Sequence, residues 1–287
     1  MGEEQLDLFS ATGIPRESHA PDLASPELVP ADLDDGALIA AIPRAGMAQA
    51  SALAAEAGRR RLVAAVAALE ELCRRFAGFG LERAVPEQVA ALRALSLIGS
   101  PQSAQAVARL IARRIVQGPS RKVAVRGAAQ LRSALPAETV LALLHDADPE
   151  IRADACRCTG ASPAAIPILL DLIDDSDGKV RVAACCALGR LGRREARPAL
   201  VRLLRGAPSA EIIDAIPKVA DEDCVIMLGR IARTRPALAD AAREALEMID
   251  HPRARQLVAA ITAGDDRWGW GPVDGRERGK AGGHDPA

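Results

Sequence analysis

Residues Asp148 to Pro208 contain one helical hairpin written twice. Ile151-Arg152 aligns with Val180-Arg181, Cys156 with Cys185, Gly160 with Gly189 and, after two extra turn residues, Pro167 with Pro198. A period of about thirty residues built from helix and turn alone predicts an α-solenoid, in which each hairpin buries its apolar stripe against the next copy. Asp148-Pro149 has the chemistry of a helix start, since the carboxylate can accept free amides and proline loses nothing at the first helical position. Ile151, Ala155, Cys158 and Thr159 fall near one face. Gly160 lets the chain leave the helix in a left-handed conformation. Ser162-Pro163 opens a second helix, where Ile166, Leu169, Leu170 and Ile173 form a stripe. Small residues at Ala155, Cys156, Ala183, Ala184 and Cys185 predict close helix approach.

Composition agrees with this class. Apolar residues make up 49% of the 287-residue chain, aromatics only 2%, and there is no Tyr, so Ala and Leu do the packing and helix is favoured over strand. The N-terminus is acidic and has no apolar core segment, and no apolar run reaches the length of a membrane span. The sequence therefore predicts a soluble, cytoplasmic protein without a membrane partner.

The pattern V-R-x-A-A-x-x-A-L-G-x-L-G at Val180 to Gly192 resembles HEAT repeats, in particular the short variety first noted in phycobilisome lyases. The resemblance covers residues 86–263. It implies a right-handed superhelix whose concave surface binds a protein partner. Most HEAT proteins are scaffolds and adaptors, so the resemblance does not imply lyase activity.

On this basis the expected fold is all-α, a solenoid of about six stacked HEAT-like hairpins. Residues 1–35 read as a disordered acidic tail, with Pro15, Pro21, Pro26 and Pro30 and little apolar periodicity. Residues 36–85 read as a helical cap, in which Leu62, Val66, Leu69, Cys73 and Phe76 make one seam and the helix breaks near Gly58. Residues 86–263 are the solenoid. The glycine-rich stretch 264–287 reads as a second disordered tail, in which Trp268 and Trp270 are candidates to dock on the last repeat.

Within the first tail, Gln5-Leu6-Asp7-Leu8-Phe9 resembles the pentapeptide Q-L-(S/D)-L-F with which bacterial polymerases, mismatch-repair proteins and initiation regulators bind the β sliding clamp. All five positions match. The resemblance makes Gln5 a polar anchor, Leu8 and Phe9 an apolar plug, and Leu6 and Asp7 part of the extended segment between them. An exposed tail is where a recognition peptide belongs.

Charge is unevenly spread. Residues 51–135 carry fourteen bases against five acids, whereas residues 1–50 carry nine acids and two bases. Arg59, Arg60, Arg61, Arg113, Arg114, Arg121 and Lys122 are candidates to track a DNA backbone. Solvated helix faces are the plainer account, because Phe76 and Phe79 are the sole aromatics there.

No catalytic, cofactor or metal site emerges. Cys156, Cys158, Cys185 and Cys186 lie mid-helix, where successive positions diverge by about a hundred degrees, so they suit packing better than zinc. His145 and His251 sit in inter-helix turns and suit capping. The acidic turn Asp174, Asp175 and Asp177 lacks the spacing of a calcium loop. The sequence therefore predicts a non-enzymatic adaptor, tethered to the clamp near replicating or repaired DNA. A general scaffold without that link is the alternative. An enzyme acting on DNA bases or a pigment, by analogy with HEAT-like glycosylases and phycobilisome lyases, is a third reading.

Overall fold

The computed structural model describes residues 29–160 and 162–263. The pentapeptide Gln5–Phe9, most of the first tail, and Trp268 and Trp270 lie outside the described residues. Among those described, the structure is helix and turn without a strand. The helices are α1 (Asp35–Ala41), α2 (Met47–Arg59), α3 (Val66–Arg75), α4 (Pro86–Ile98), α5 (Pro101–Ala112), α6 (Gly118–Gln130), α7 (Ala137–Leu144), α8 (Pro149–Arg157), α9 (Ile166–Asp171), α10 (Gly178–Arg190), α11 (Arg197–Gly206), α12 (Ala210–Asp214), α13 (Glu222–Thr234), α14 (Ala239–Glu247) and α15 (Pro252–Ala263).

From α2 onward they pair as A and B helices of seven successive hairpins. Even-numbered helices form the A row and odd-numbered helices the B row. The expected solenoid is therefore the observed one. Residues 36–85 contribute α1 and the first hairpin, whose turn at residues 60–65 begins just past Gly58, near where the break is expected. Gly58 is helical, and a Cβ there would lie 2.8 Å from the Cα of Ala94 on α4.

That glycine shows how the rows differ. In the A row, Gly127 packs on Ser96 (2.7 Å from a would-be Cβ), and Gly189 packs on the backbone oxygen of Ala215. The A helices thus sit backbone to backbone, while the B helices α5 and α7 barely meet. The row with the closer helices must lie inside the curve, so the A helices line the inner face. Ala183, Ala184, Cys185, Cys186 and Ala187 are all buried in α10. Replacing Ala184 by Leu should cost about 1–3 kcal/mol by overpacking, measured as a lower urea midpoint at unchanged slope.

The caps follow the sequence chemistry. Asp148 accepts the Glu150 amide at 2.8 Å, and Asp177 accepts those of Lys179 and Val180 at 2.7 and 3.2 Å. Gly160 takes a left-handed φ of 53°. Its aligned partner Gly189 does not: α10 continues to Arg190 and Gly192 makes the turn, at φ 73°. One alignment column therefore serves a turn in one copy and close packing in the next. Arg61, Arg114 and Arg132 also adopt left-handed backbone, at φ 53°, 54° and 50°.

The repeated Val/Ile-Arg pair builds a ladder between the B-to-A turns. Arg152 donates to both carboxylate oxygens of Asp175 at 2.9 and 3.0 Å and to the carbonyls of Asp146 and Ala147. Arg181 donates in the same way to the carbonyls of Asp175 and Ser176. The acidic turn is thus occupied by arginine and by helix amides.

Candidate partner-binding groove

The A-to-B turns form one edge of the solenoid, and a cleft of about 470 Å³ runs along it. Its walls come from four hairpins: Arg132 and Ala134 after α6, Arg157 and Gly160 after α8, Arg190 on α10, and Glu211 and Asp214 on α12. A second cleft, about 430 Å³, shares Arg132, Ser133 and Ala134 with the first and extends it to Gly99–Pro101. Together they make a groove across five hairpins.

Charge lines this groove in pairs. Asp154 accepts from Arg157 at 2.8 Å. Arg157 also donates to both oxygens of Glu211 at 2.8 and 3.1 Å. Arg132 lies 3.5 Å from Asp214, and Arg190 lies 4.0 Å from the same carboxylate. Two of these pairs skip repeats. Arg157 of the fourth hairpin reaches Glu211 of the sixth, and Arg132 of the third reaches Asp214 of the sixth. Ordinary solenoid contacts link neighbours only, so the chain is sharply curved at this edge. Lys218 stands on the rim.

The floor is apolar and small: Ala129, Cys158, Ala187 and Leu191. The Cys158 thiol is pushed up to about 12 by burial, reinforced by Asp154, and stays protonated at neutral pH. Cys73, Cys156 and Cys186 are likewise pushed up to about 12 by burial, and all six cysteines are free and buried. Among the described residues no cluster of His, Cys, Asp or Glu is placed to hold a metal ion. No helix there is long and apolar enough to cross a membrane. The groove offers paired charges over an apolar floor, which suits an extended peptide segment.

The candidate DNA-contacting residues fall in three places. Arg59 and Arg60 grip Glu56 at 2.6–2.8 Å and, through hydrogen bonding, pull its carboxyl to about 2. Arg60 also donates to Asp35 and to the carbonyls of Pro30, Ala31 and Leu33, tying the entering chain to α2. Arg121 pairs with Asp146 at 2.7 Å, and Lys122 with Asp148 and Glu150 at 3.0 and 2.7 Å. Arg61, Arg113 and Arg114 are exposed. Arg61 sits on the groove's edge of the solenoid, whereas Arg113 and Arg114 sit on the opposite edge. His251 accepts the Arg253 amide at 3.2 Å and caps α15.

The groove residues were not legible individually, because they come from four repeats and meet only through superhelical curvature. The Asp154–Arg157 spacing, one helical turn, was the local trace of it.

Residues 137–216 match the family model described as HEAT repeats. No curated protein matches the chain in sequence. Among solved structures, the chain is similar to one in "The structure of the complex of CpcE and CpcF of phycocyanin lyase from Nostoc sp. PCC7120", with 18% identity and a TM-score of 0.57 over 87% of this chain and 99% of that one. This likeness corrects the expectation of a non-enzymatic chain. The same architecture serves in a lyase complex, so neither the solenoid nor the lack of a familiar catalytic motif argues against chemistry. Residues 137–216 thus match HEAT repeats, and the chain as a whole is similar in fold to a chain of that complex.

Proposed function

We propose that the chain is a partner-binding solenoid whose groove along the A-to-B turns holds an extended segment of a second protein. The observation that carries this is the cleft spanning the third to sixth hairpins, walled by charges and floored by small apolar side chains. The similar fold described in a complex of two named proteins supports a role in association. The test is capture of partners from the source organism by the full chain and by an Ala134→Trp/Lys218→Glu variant. Both positions border the groove outside the buried core. A partner bound by the parent should be weakened at least tenfold, on the order of a hot-spot loss. Equal capture at equal stability would place the interface elsewhere.

The N-terminal pentapeptide adds a destination. All five positions from Gln5 to Phe9 fit the clamp-binding pattern, which supports tethering to the β sliding clamp and delivery of the held partner near replicating or repaired DNA. A labelled peptide of residues 1–14 should bind purified clamp in the micromolar range, modest because an extended segment must be ordered. A Leu8→Ala/Phe9→Ala peptide should not bind. Equal binding by both would remove the motif, leaving a scaffold without the clamp link.

A further inference from the structure

The B-to-A edge, opposite the groove, carries a second surface at its N-terminal end. Gly78-Phe79-Gly80 joins α3 to α4. Both glycines have left-handed backbone, φ 83° and 80°, and a Cβ on Gly78 would meet nothing within 4 Å. At Gly78 the loop is open to solvent, and it presents Phe79, which is 64% exposed in a chain with three Phe residues. Phe76 meets it in a T-shaped contact, with ring centroids 6.4 Å apart and planes at 72°, and most of the Phe79 side chain stays open to solvent. Phe76 in turn carries the Arg75 guanidinium at 5.0 Å.

Gln88 fixes what lies beside this ring. Its side-chain amide is fully buried and donates to Cys73 and Phe76 carbonyls at 3.1 Å and to the Ile115 carbonyl at 3.5 Å. One nitrogen thus joins the end of α3 to the turn after α5. A second link is Gly118, whose Cα faces the carbonyls of Gly80 and Leu81 so closely that a Cβ would collide with both. A third is Ser120, which accepts the Val85 amide at 3.2 Å. These links set Arg113 and Arg114 beside the Phe79 loop. Both are exposed, as is Arg83 within the loop. Unlike Arg121 and Lys122, which pair with the acidic turn at 146–150, none of the three has an acidic partner among the described residues. The acids nearest Arg83 in sequence are Glu82, which is exposed, and Glu87, which is buried. Arg114 holds its place with left-handed backbone, where an L residue is strained.

An exposed aromatic side chain beside exposed arginines on a fixed frame is the arrangement that binds single-stranded nucleic acid: a base stacks on the ring and phosphates meet the cations. We propose that the Phe79 loop and the Arg113-Arg114 turn form a binding site for single-stranded nucleic acid. A protein interface fits less well, since Phe79 and Leu81 are the sole large apolar side chains exposed in residues 76–85 and 112–121. The site is independent of the groove and stands whether or not the groove holds protein.

The test uses the full chain and a fluorescein-labelled oligothymidine, followed by anisotropy across a salt series, with duplex DNA of equal length as comparison. Binding should be saturable at low salt and tighter for the single strand. Phe79→Ala should weaken it about tenfold, the scale of one stacked base, and Phe79→Trp should retain it. Arg113→Gln/Arg114→Gly should make the dependence of log K on log salt shallower by roughly 1.4, two phosphate contacts' worth; glycine suits the backbone at 114. No saturable binding, equal affinity for duplex, or indifference to Phe79→Ala would overturn the proposal. So would Phe79-dependent capture of a protein by a chain that ignores the oligonucleotide.

Discussion

Gly118→Ala should destabilise the solenoid by about 2–5 kcal/mol. The backbone there is left-handed, φ 50°, which costs an L residue roughly 1–2 kcal/mol. The added methyl would also collide with the carbonyl oxygens of Gly80 and Leu81. Those are backbone atoms of a loop anchored by Val85 on Ser120 and by Gln88 on Phe76, so the neighbours cannot yield by rotating a side chain. Overpacking against such a frame adds about 1–3 kcal/mol. Urea unfolding should show a lower midpoint at unchanged slope. A cost below about 1 kcal/mol, within the reach of an ordinary surface change, would mean that the loop is not held as described.

Asp175→Ala should cost about 3 kcal/mol. Arg152 and Asp175 form a two-pronged pair with side chains only 16% and 8% exposed. Removing the carboxylate strands the guanidinium, and 3 kcal/mol is the low end of the cost for a buried pair, because the carbonyls of Asp146 and Ala147 remain as acceptors. The same pair fixes an acid dependence. The Arg152 hydrogen bond is the main force holding the Asp175 carboxyl below its ordinary value. A depressed folded-state value means that the stabilisation is fully present above the unfolded value, near pH 4, and is lost as pH falls through the lower folded value. The parent should therefore lose stability below about pH 4 more steeply than the variant. Parallel curves would show that Asp175 does not contribute through its charge.

The sequence made the hairpin visible because its signals are local. Asp148-Pro149, Gly160 and the stripe through Leu169 each act within a few residues, and each is where the periodicity places it. The Arg152–Asp175 pair was present in the alignment as a repeated Val/Ile-Arg, yet its role was hidden. The partner lies in the next turn, and only stacked repeats show that the turn returns to the same arginine. Gly160 and Gly189 share a column, but nothing local says that α10 will run one turn further. The basic half was legible as a count of charges. Which cations are spent was not: Arg60 on the entering chain and Lys122 on Glu150 differ from Arg113 and Arg114 solely by tertiary neighbours. The groove is further still from the sequence, since it depends on curvature summed over four hairpins.

That curvature has a mechanical consequence. A solenoid whose units touch only their neighbours can be pulled apart like a zip, one hairpin at a time. Here Arg157–Glu211 is a clasp from the fourth hairpin to the sixth, and Arg132–Asp214 a looser, exposed one from the third to the sixth. Tension applied at the two ends would peel the first, second and seventh hairpins singly. The clasped four would resist until a clasp opened, then give way in a single long step.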